Sequence, residues 1–474
     1  MANKLIPLWL ILMLFLNPLS VFAQNENGYP VYIIREGDSL GSIADLFDTT
    51  LTDILEINNI SNPDLISPGQ SINIPGLLGV SGILQIVTPQ LGESLSILST
   101  RYVVDIDVIT SINHLLSPTS VFPGSTLIIP LQSNTIPLIP VSSIKLHETG
   151  LESAVLTGKN PHTLSIQNQM TNHNLDFAGK IVFSEDSENA QAINLFAPLI
   201  DEVRLNPLPL IQGATEVVTV RNKSPLNLKG NLGNHELAFY SEAVGQYYAL
   251  QGIHALAEPG LVEFNLIATL EDGSEHTYRQ MVLLNPGIFD EDPPLMVDPK
   301  TIDPAVTEPE NELVFSLITN KTPVKYWTDI FESPAVYQEF NSLFGTRRWY
   351  NEDPEVRFHA GVDFAGGLTL PIIAPAPGLV VFSGPLTVRG NAVFIDHGWG
   401  VFSGFFHQDT VNVKVGDRVS TGDVIGTVGN TGRVNGSGDY YGAGAHLHWE
   451  LWVNEVQVNP LDWLDEKYPY EKYP

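Results

Sequence analysis

Apolar residues near the start of the chain recur in two similar arrangements that lie 55 residues apart. In the first, residues 31–34 have the composition of a short strand, and two apolar runs at helical spacing follow: Leu40, Ile43, Ala44 and Phe47, then Leu51, Ile54 and Leu55. Asp38 or Ser39 can cap the first helix, and Pro68-Gly69 turns the chain into a last strand. The pattern predicts two small strand–helix–helix–strand (α+β) units, at residues 30–76 and 83–131.

The stretch from residue 141 to residue 285 has the alternating pattern of strands. Val262, Phe264 and Leu266 share one strand face, "EDGS" forms a turn, and a partner strand follows at residues 275–284. We expect a β-rich region with an immunoglobulin-like sandwich from about residue 200. Its histidines are scattered without a catalytic pattern: His162, His173, His235, His254 and His276.

Two segments lack the pattern of a folded core. Residues 1–23 combine Lys4, an apolar stretch shorter than a membrane span and a small-residue site before Gln24. They predict a signal peptide, with an uncleaved N-terminal anchor as the alternative. Residues 286–312 hold six prolines and eight acidic residues, a composition that favours an extended, solvated linker.

Short strands separated by glycine turns, such as "LVVFSG", "NAVFID" and "DVIGTVG", characterise residues 340–465. Of the 39 glycines, 18 lie between Gly361 and Gly444, so this region is predicted to be an antiparallel all-β domain. The chain is therefore predicted to be multidomain.

Candidate metal ligands lie in two motifs of this last domain. His359 and Asp363 occur in "FHAGVDF", and His446 and His448 occur in "AHLHWEL", where residues two apart on a strand face the same side. His407 lies among aromatic residues, where an idle polar side chain would be poorly placed. Two imidazoles and one carboxylate can hold zinc with one coordination position open, and a chain without cysteine has no thiolate ligands. The alternative interpretation is a solvated strand face that happens to carry histidines.

The formal charge of −30 argues against nucleic-acid binding and against non-specific attachment to anionic polymers. Retention at a cell surface should therefore depend on contacts with neutral groups. We expect no membrane span after removal of the signal peptide, and a secreted location, extracellular or periplasmic.

The two repeated N-terminal units resemble the LysM domain. "GDSL" at residues 37–40 returns as "GESL" at residues 92–95, Asn58 returns as Asn113, and "SPGQSINIP" returns as "FPGSTLIIP". The resemblance implies βααβ modules that bind N-acetylglucosamine-containing glycans such as peptidoglycan. The second copy diverges more from the family pattern, and both asparagines could instead serve to cap or turn the backbone.

The C-terminal region resembles the lysostaphin-like (LytM-type) zinc metallopeptidases, which cut peptide cross-bridges in bacterial cell walls. The motifs "FGTRRWYN", "HAGVDF", "IDHGWG", "HLHWEL" and "VNPLDWL" occur in the order found in that family. The resemblance implies one Zn²⁺ held by His359, Asp363 and His448, with His446 and His407 as catalytic histidines that do not bind the metal. We favour His446 as the base and His407 as the transition-state stabiliser.

Some neighbouring residues have other expected roles or depart from the family. His397 is expected to be a turn histidine bonded to backbone, and Glu450 is not used as a base in the family. Phe405 stands where relatives usually have a tyrosine, and Gln408 where they have a leucine, so a hydroxyl that could assist substrate is missing. The Gly/Tyr-rich loop at residues 433–445 is longer than the usual spacer and could restrict the active site.

These observations predict a secreted, zinc-dependent endopeptidase that hydrolyses peptide cross-bridges of bacterial peptidoglycan while LysM modules hold it on glycan. The alternative is a non-catalytic, wall-binding regulator that activates another wall hydrolase, as some relatives do. A glycan-binding surface protein is a third possibility, but it leaves the metal set unexplained. No feature of the sequence predicts which peptide bond is cut.

Overall fold

The computed structural model describes residues 28–132, 135–143, 149–156, 158, 160–168, 181–185, 193–337, 339–351, 353–434 and 444–469. The predicted signal peptide, residues 1–23, lies outside them. No helix among the described residues is both long and apolar enough to cross a membrane. The chain divides into two compact units: residues up to 85 together with 128–136, and residues 86–127 together with everything from 137 onward.

The first unit contains the first predicted strand–helix–helix–strand module. Its elements are β1 (Val31–Ile33), α1 (Leu40–Leu46), α2 (Leu51–Ile57) and β2 (Ser71–Asn73). Ser39 caps α1 by accepting from the backbone N–H of Ser42, whose hydroxyl in turn accepts from the backbone N–H of Ser39. The sheet continues with β3 (Ile83–Val87) and β4 (Leu127–Leu131), in the order β2, β1, β3, β4.

Asn58 fastens the end of α2 to β2. Its side-chain amide nitrogen donates to the carbonyl oxygens of Ile54 and Asn73, both at 2.8 Å. Its side-chain oxygen accepts from the backbone N–H of Asn73 at 2.7 Å. Asn58 was considered as a glycan contact or as a residue that caps or turns the backbone. Its hydrogen bonds in the structure are those of the second role.

The second unit begins with four short helices and two strands. The elements in chain order are α3 (Leu95–Tyr102), α4 (Ile106–Ile112), β5 (Ile139–Ser143), α5 (Gly150–Leu156), α6 (Pro161–Gln167) and β6 (Ile181–Ser184). The predicted β-rich region thus contains, between β5 and β6, two helices that its apolar pattern did not reveal. Each is only 7 residues long, and apolar burial within them is concentrated at Ala154 and Leu164, which is too little to establish a helical period.

Two sheets then form the predicted sandwich. The strands are β7 (Glu202–Asn206), β8 (Leu210–Ile211), β9 (Thr215–Arg221), β10 (Asn227–Leu232), β11 (His235–Glu236), β12 (Tyr240–Ala243), β13 (Gln246–Gly252), β14 (Gly260–Thr269) and β15 (Glu275–Asn285). One sheet has the order β11, β10, β14, β15, β8, and the other has the order β12, β13, β9, β7. Phe264 and Leu266 from the first sheet pack with Val218 and Val220 from the second to form the core.

The segment predicted as an extended linker, residues 286–312, is partly helical. A 3-10 turn at Pro299–Thr301 leads into α7 (Pro304–Ile318), which Asp303 caps by accepting from the backbone N–H of Ala305. Proline at the first helical position is compatible with a helix, so proline content alone was a misleading signal. Val314 and Ile318 are buried in an apolar cluster with residues of the C-terminal sheet: Ala392, Phe394, Phe402, Phe406 and Trp452.

Glu310 fixes α7 to the C-terminal domain. Its carboxylate accepts from the backbone N–H groups of Val388 and Arg389 at 2.8 and 3.1 Å, and from the Arg389 guanidinium at 2.9 Å. The side chain of Glu310 is 4% exposed. A carboxylate buried to this extent needs such partners. These hydrogen bonds explain why an acidic residue occurs at position 310.

The remaining strands form the predicted antiparallel β domain. They are β16 (Phe340–Ser342), β17 (Arg347–Arg348), β18 (Arg357–Phe358), β19 (Val362–Ala365), β20 (Pro371–Ile373), β21 (Gly378–Leu386), β22 (Gly390–Gly398), β23 (Val401–Val411), β24 (Arg418–Val419), β25 (Val424–Val428), β26 (His446–Val453) and β27 (Val456–Val458), followed by α8 (Asp462–Asp465). The central order is β16, β19, β26, β23, β22, β21, β24.

The sandwich and the C-terminal sheet share one apolar core. Tyr240 stacks on Trp399 with ring centroids 5.1 Å apart. A Cβ added at Gly252 would lie 2.8 Å from atoms of both Val456 and Val458, so only glycine allows this approach. The common cluster includes Val217, Tyr248, Leu250 and Ala255 from the sandwich, and Trp327, Trp399, Val453, Val458 and Trp463 from the C-terminal part.

We expect Glu310→Ala to lower the free energy of unfolding of the C-terminal part by about 3 kcal/mol, because it leaves the largely buried guanidinium of Arg389 without its carboxylate partner. The matched change Glu312→Ala, at an exposed position of the same helix, should stay within about 0.5 kcal/mol. Tryptophan fluorescence can follow the transition, since every tryptophan except Trp9 lies between residues 327 and 463. Equal unfolding midpoints for the two variants would contradict the anchoring role of Glu310.

Candidate metal centre

Pairing between β19 and β26 places the two sequence motifs side by side. In this antiparallel ladder Asp363 lies directly opposite His448, and Ala365 lies opposite His446. Residues directly opposite each other in such a pair project to the same face of the sheet. His359 lies just before β19, so one strand pair gathers four of the five predicted site residues.

Three side chains converge closely enough to hold a metal ion. The Nδ1 atom of His448 lies 2.6 Å from Oδ1 of Asp363, and the Nε2 atom of His359 lies 3.0 Å from that same oxygen. The two imidazole nitrogens are 3.0 Å apart. The candidate ligand atoms of His359, Asp363 and His448 all lie within 4.8 Å of one another.

Hydrogen bonds on the far side of the His359 and His448 rings determine which nitrogen of each ring faces the candidate metal position. Nδ1 of His359 donates to the carbonyl oxygen of Leu343 at 3.0 Å, which leaves Nε2 free of a proton to act as a ligand. Nε2 of His448 donates to Oε1 of Glu450 at 3.1 Å, and Gln457 donates to the other Glu450 oxygen at 3.0 Å. Two imidazole nitrogens, each ring held by a hydrogen bond on its far side, and one carboxylate oxygen fit the donor preference of a catalytic zinc site.

Burial and mutual charge set the protonation of the three residues. Burial by itself would raise the pKa of Asp363, but His359 and His448 hold that pKa well below its ordinary value. Burial lowers the pKa of His359 to about 4 against the attraction of Asp363. Burial also acts to lower the pKa of His448, yet Asp363 and Glu450 raise it to about 9. Metal binding would displace the His448 proton, because a ligand imidazole must be neutral.

His446 and His407 lie beside the set without joining it. Their ring centroids are 5.1 Å apart, and Nε2 of His446 is 3.7 Å from Asp363. Nδ1 of His446 donates to the carbonyl oxygen of Gly444 at 3.1 Å, and Nδ1 of His407 donates to that of Thr431 at 2.8 Å. In the neutral form, each ring therefore carries its lone pair on Nε2. Burial, followed by the proximity of His446 and His448, lowers the pKa of His407 well below its ordinary value.

Comparison with known families agrees with this arrangement. Peptidase family M23 matches residues 357–460, and the LysM domain matches residues 32–75 and 90–130. Residues 357–460 are an M23 peptidase domain.

Three named proteins are similar to part of this chain. Peptidoglycan DD-endopeptidase ShyC of Vibrio cholerae is 34% identical over 128 residues, which cover 27% of this chain and 28% of the relative. DD-carboxypeptidase/endopeptidase Mpg of Neisseria meningitidis is 37% identical over 131 residues, 27% of either chain. Murein hydrolase activator NlpD of Escherichia coli is 33% identical over 108 residues, 23% of this chain and 26% of the relative. The matched segment spans only about a quarter of the length of these relatives.

A cleft of about 840 Å³ opens beside the histidines of the M23 domain. His359, Asp363, His407, His446 and His448 all contribute to its lining. Much of the rest comes from residues 292–311, the segment that the sequence predicted as a solvated linker. This segment is therefore part of the cleft wall of the M23 domain. The loop at residues 433–445, which could restrict access, lies largely outside the described residues.

Two residues considered in the sequence lie away from the cleft. His397 is buried, with Nδ1 donating to the carbonyl oxygen of Pro377 at 2.8 Å and Nε2 lying 2.9 Å from the Ser403 hydroxyl. Phe405 is fully buried in the apolar core, so a hydroxyl at this position would face the core rather than the cleft. The departure from tyrosine at Phe405 thus bears on packing, whereas the sequence had suggested an effect on substrate.

Sequence reasoning missed three contributors to the M23 site. Phe406 stacks on His448 with centroids 5.5 Å apart and planes 18° apart. Arg348 places its guanidinium 3.7 Å from Oδ2 of Asp363 and 3.0 Å from Asp292. Leu343 contributes only a backbone carbonyl, which has no sequence signal. Arg348 lies in "FGTRRWYN", so that motif could have drawn attention to it.

We expect Glu450→Gln to weaken zinc binding by about 10- to 100-fold, because the amide orients His448 less strongly than the carboxylate does. Competition with a chromophoric chelator measures this affinity directly. Glu455→Gln is a matched control, since Glu455 pairs with Lys321 at the far end of the same hairpin. Unchanged zinc affinity in Glu450→Gln would show that the Glu450 contact does not support the metal site.

Proposed function

We propose that this chain is a secreted, zinc-dependent endopeptidase that hydrolyses peptide cross-bridges of bacterial peptidoglycan, with its LysM domains holding it on glycan. The observation that supports this most directly is the convergence of His359, Asp363 and His448, oriented by Leu343 and Glu450, in a cleft that also contains His446 and His407. Secretion rests on the composition of residues 1–23.

The names of the relatives support the choice of substrate. Two are named as peptidoglycan or DD-type endopeptidases, and each is similar to about a quarter of this chain. The LysM domains in the same chain add a module type associated with cell-wall glycan. Together they favour peptidoglycan over a soluble protein substrate.

The metal role is assigned to three residues. His359 through Nε2, His448 through Nδ1 and one Asp363 oxygen would hold a zinc ion, with one position left for substrate chemistry. Zinc at such a site acidifies water and polarises a carbonyl oxygen. Phe406 covers one face of His448 and so limits both its motion and the access of bulk water to it.

Proton transfer is assigned to the two remaining histidines. Because Nδ1 of each ring is bonded to a carbonyl oxygen, Nε2 of each ring is the atom that can accept a proton in the cleft. We assign His446 as the base that takes the proton from attacking water, since its Nε2 atom lies 3.7 Å from the ligand Asp363 and it is two residues from the ligand His448. His407 is assigned to stabilise the transition state together with His446.

The LysM domains act by raising local concentration. Once they bind glycan, the M23 domain meets scissile bonds at an effective concentration set by the intervening chain. This helps a protein with a formal charge of −30, which anionic wall polymers would otherwise repel.

A non-catalytic regulator is the second candidate. The similarity to a murein hydrolase activator, 33% identity over 108 residues, is the observation that favours it. A regulator has no need of a complete donor set, whereas His359, Asp363 and His448 converge here with both additional histidines in place. We therefore rank it second.

We expect the purified mature chain to release soluble fragments with new peptide termini from peptidoglycan, to lose this activity with a chelator, and to regain it with zinc. His448→Ala should lose both zinc and activity. His446→Ala should keep zinc but lose about 10²- to 10⁴-fold in rate, because a positioned proton acceptor is removed. Mass spectrometry of the fragments and metal analysis provide the two readouts.

His276→Ala in the sandwich is the control for histidine replacement and should behave like the wild type. Absence of fragments under every condition, with zinc bound, would disprove the enzyme. If the chain then stimulated a separately added wall amidase, the regulator would be the correct reading. Activity retained by both His446→Ala and His448→Ala would mean that the site lies elsewhere.

A further inference from the structure

Residues 139–184 repeat the geometry of the first LysM domain at an offset of 110 residues. In the first domain, α1 and α2 begin 18 and 7 residues before Asn58. In the later segment, α5 and α6 begin 18 and 7 residues before Asn168. Each module also opens and closes with strands that pair antiparallel, β1 with β2 and β5 with β6. The element order and spacing are therefore the same.

Asn168 repeats the hydrogen bonds of Asn58. Its amide nitrogen donates to the carbonyl oxygens of Leu164 and Phe183 at 2.8 Å, and its side-chain oxygen accepts from the backbone N–H of Phe183 at 2.6 Å. Asn58 makes the same three bonds to residues at the same offsets, four before it and 15 after it. These three hydrogen bonds form only where the helix and the returning strand have the same relative placement. Their recurrence in both segments therefore indicates a common fold rather than coincidence.

The capping and core positions also correspond. Thr149 accepts from the backbone N–H of Glu152, whose carboxylate accepts from the N–H of Thr149, as Ser39 and Ser42 do at the start of α1. Three buried residues of the first domain have buried equivalents 110 residues later: Ala44 and Ala154, Ile54 and Leu164, Ile72 and Val182. The later segment thus has the same cap and the same small core.

The three asparagines Asn58, Asn113 and Asn168 are evenly spaced at 55 residues. LysM matches cover only the first two copies, at residues 32–75 and 90–130. We infer that residues 139–184 are a third copy of the LysM module and that it adds a third binding site for N-acetylglucosamine-containing glycan. The ligand class rests on the glycan-binding role proposed above.

Charge favours a binding role for the third copy. Between residues 139 and 184 there are three lysines and three carboxylates, whereas the equivalent residues 29–74 hold one arginine and seven carboxylates. The third copy is therefore close to neutral in a chain that is strongly acidic. It is the copy that an anionic cell wall would repel least, so it can maintain contact where the first copy is disfavoured.

Hydrogen–deuterium exchange on the full mature chain tests the site directly, with a hexamer of N-acetylglucosamine as the probe. We expect the hexamer to slow exchange in residues 161–168 and 181–184 as well as in the first two copies. Slower exchange confined to residues 28–132 would overturn the third site while leaving the proposed function intact. No slowing anywhere would instead contradict the glycan tether of the proposed function.

Retention on insoluble chitin, which contains the sugar but no peptide, provides a second test. Asn168→Ala should open α6 and β6 and lower the affinity by at least about tenfold, since one of three linked contacts is lost. Asn58→Ala, the matched change in the first copy, should do the same by opening α2 and β2. If exchange showed that Asn168→Ala had opened the third copy and chitin affinity nevertheless equalled that of the wild type, the third copy would be a spacer and the proposal would fail.

Discussion

The register between β19 and β26 is the constraint on which the site depends. It sets Asp363 opposite His448, and because side chains alternate along a strand, it also brings His446 and Glu450 to the same face. A shift of one residue would turn His446, His448 and Glu450 away from Asp363 together. The apolar residues between them, Leu447 and Trp449, are fully buried on the other face and hold the register in place.

Backbone carbonyl groups complete what the strand pair begins. The carbonyl oxygens of Leu343, Thr431 and Gly444 each accept a hydrogen bond from the Nδ1 atom of a histidine, at His359, His407 and His446 respectively. In each case the backbone decides which imidazole nitrogen is available in the cleft. The protonation pattern of the histidines is thus determined by loop carbonyl groups as well as by the side chains of the site.

The sequence predicted the parts of this protein that depend on local signals. Strand alternation around His446 and His448, together with glycine turns, predicted the all-β domain, whereas the choice of His359, Asp363 and His448 as metal ligands came from the resemblance to the lysostaphin-like metallopeptidases. The conformation of residues 286–312 was not predictable from composition, because Glu310 is stabilised by contacts with Arg389, which lies 79 residues away. The helices around Ala154 and Leu164 were missed because each is only 7 residues long and its few buried apolar side chains do not establish a helical period. A long-range partner therefore accounts for the first failure, and a weak local pattern accounts for the second.

The close approach at Gly252 has a consequence for how the M23 domain can be isolated. Sandwich residues cover apolar surface on Trp399 and Val456, so a fragment beginning at residue 340 would leave that surface bare to water. Bare patches of this kind promote aggregation. The smallest soluble fragment that contains the M23 domain should therefore begin before β7, near residue 200, and the sandwich is better regarded as part of the core of the M23 domain than as a spacer.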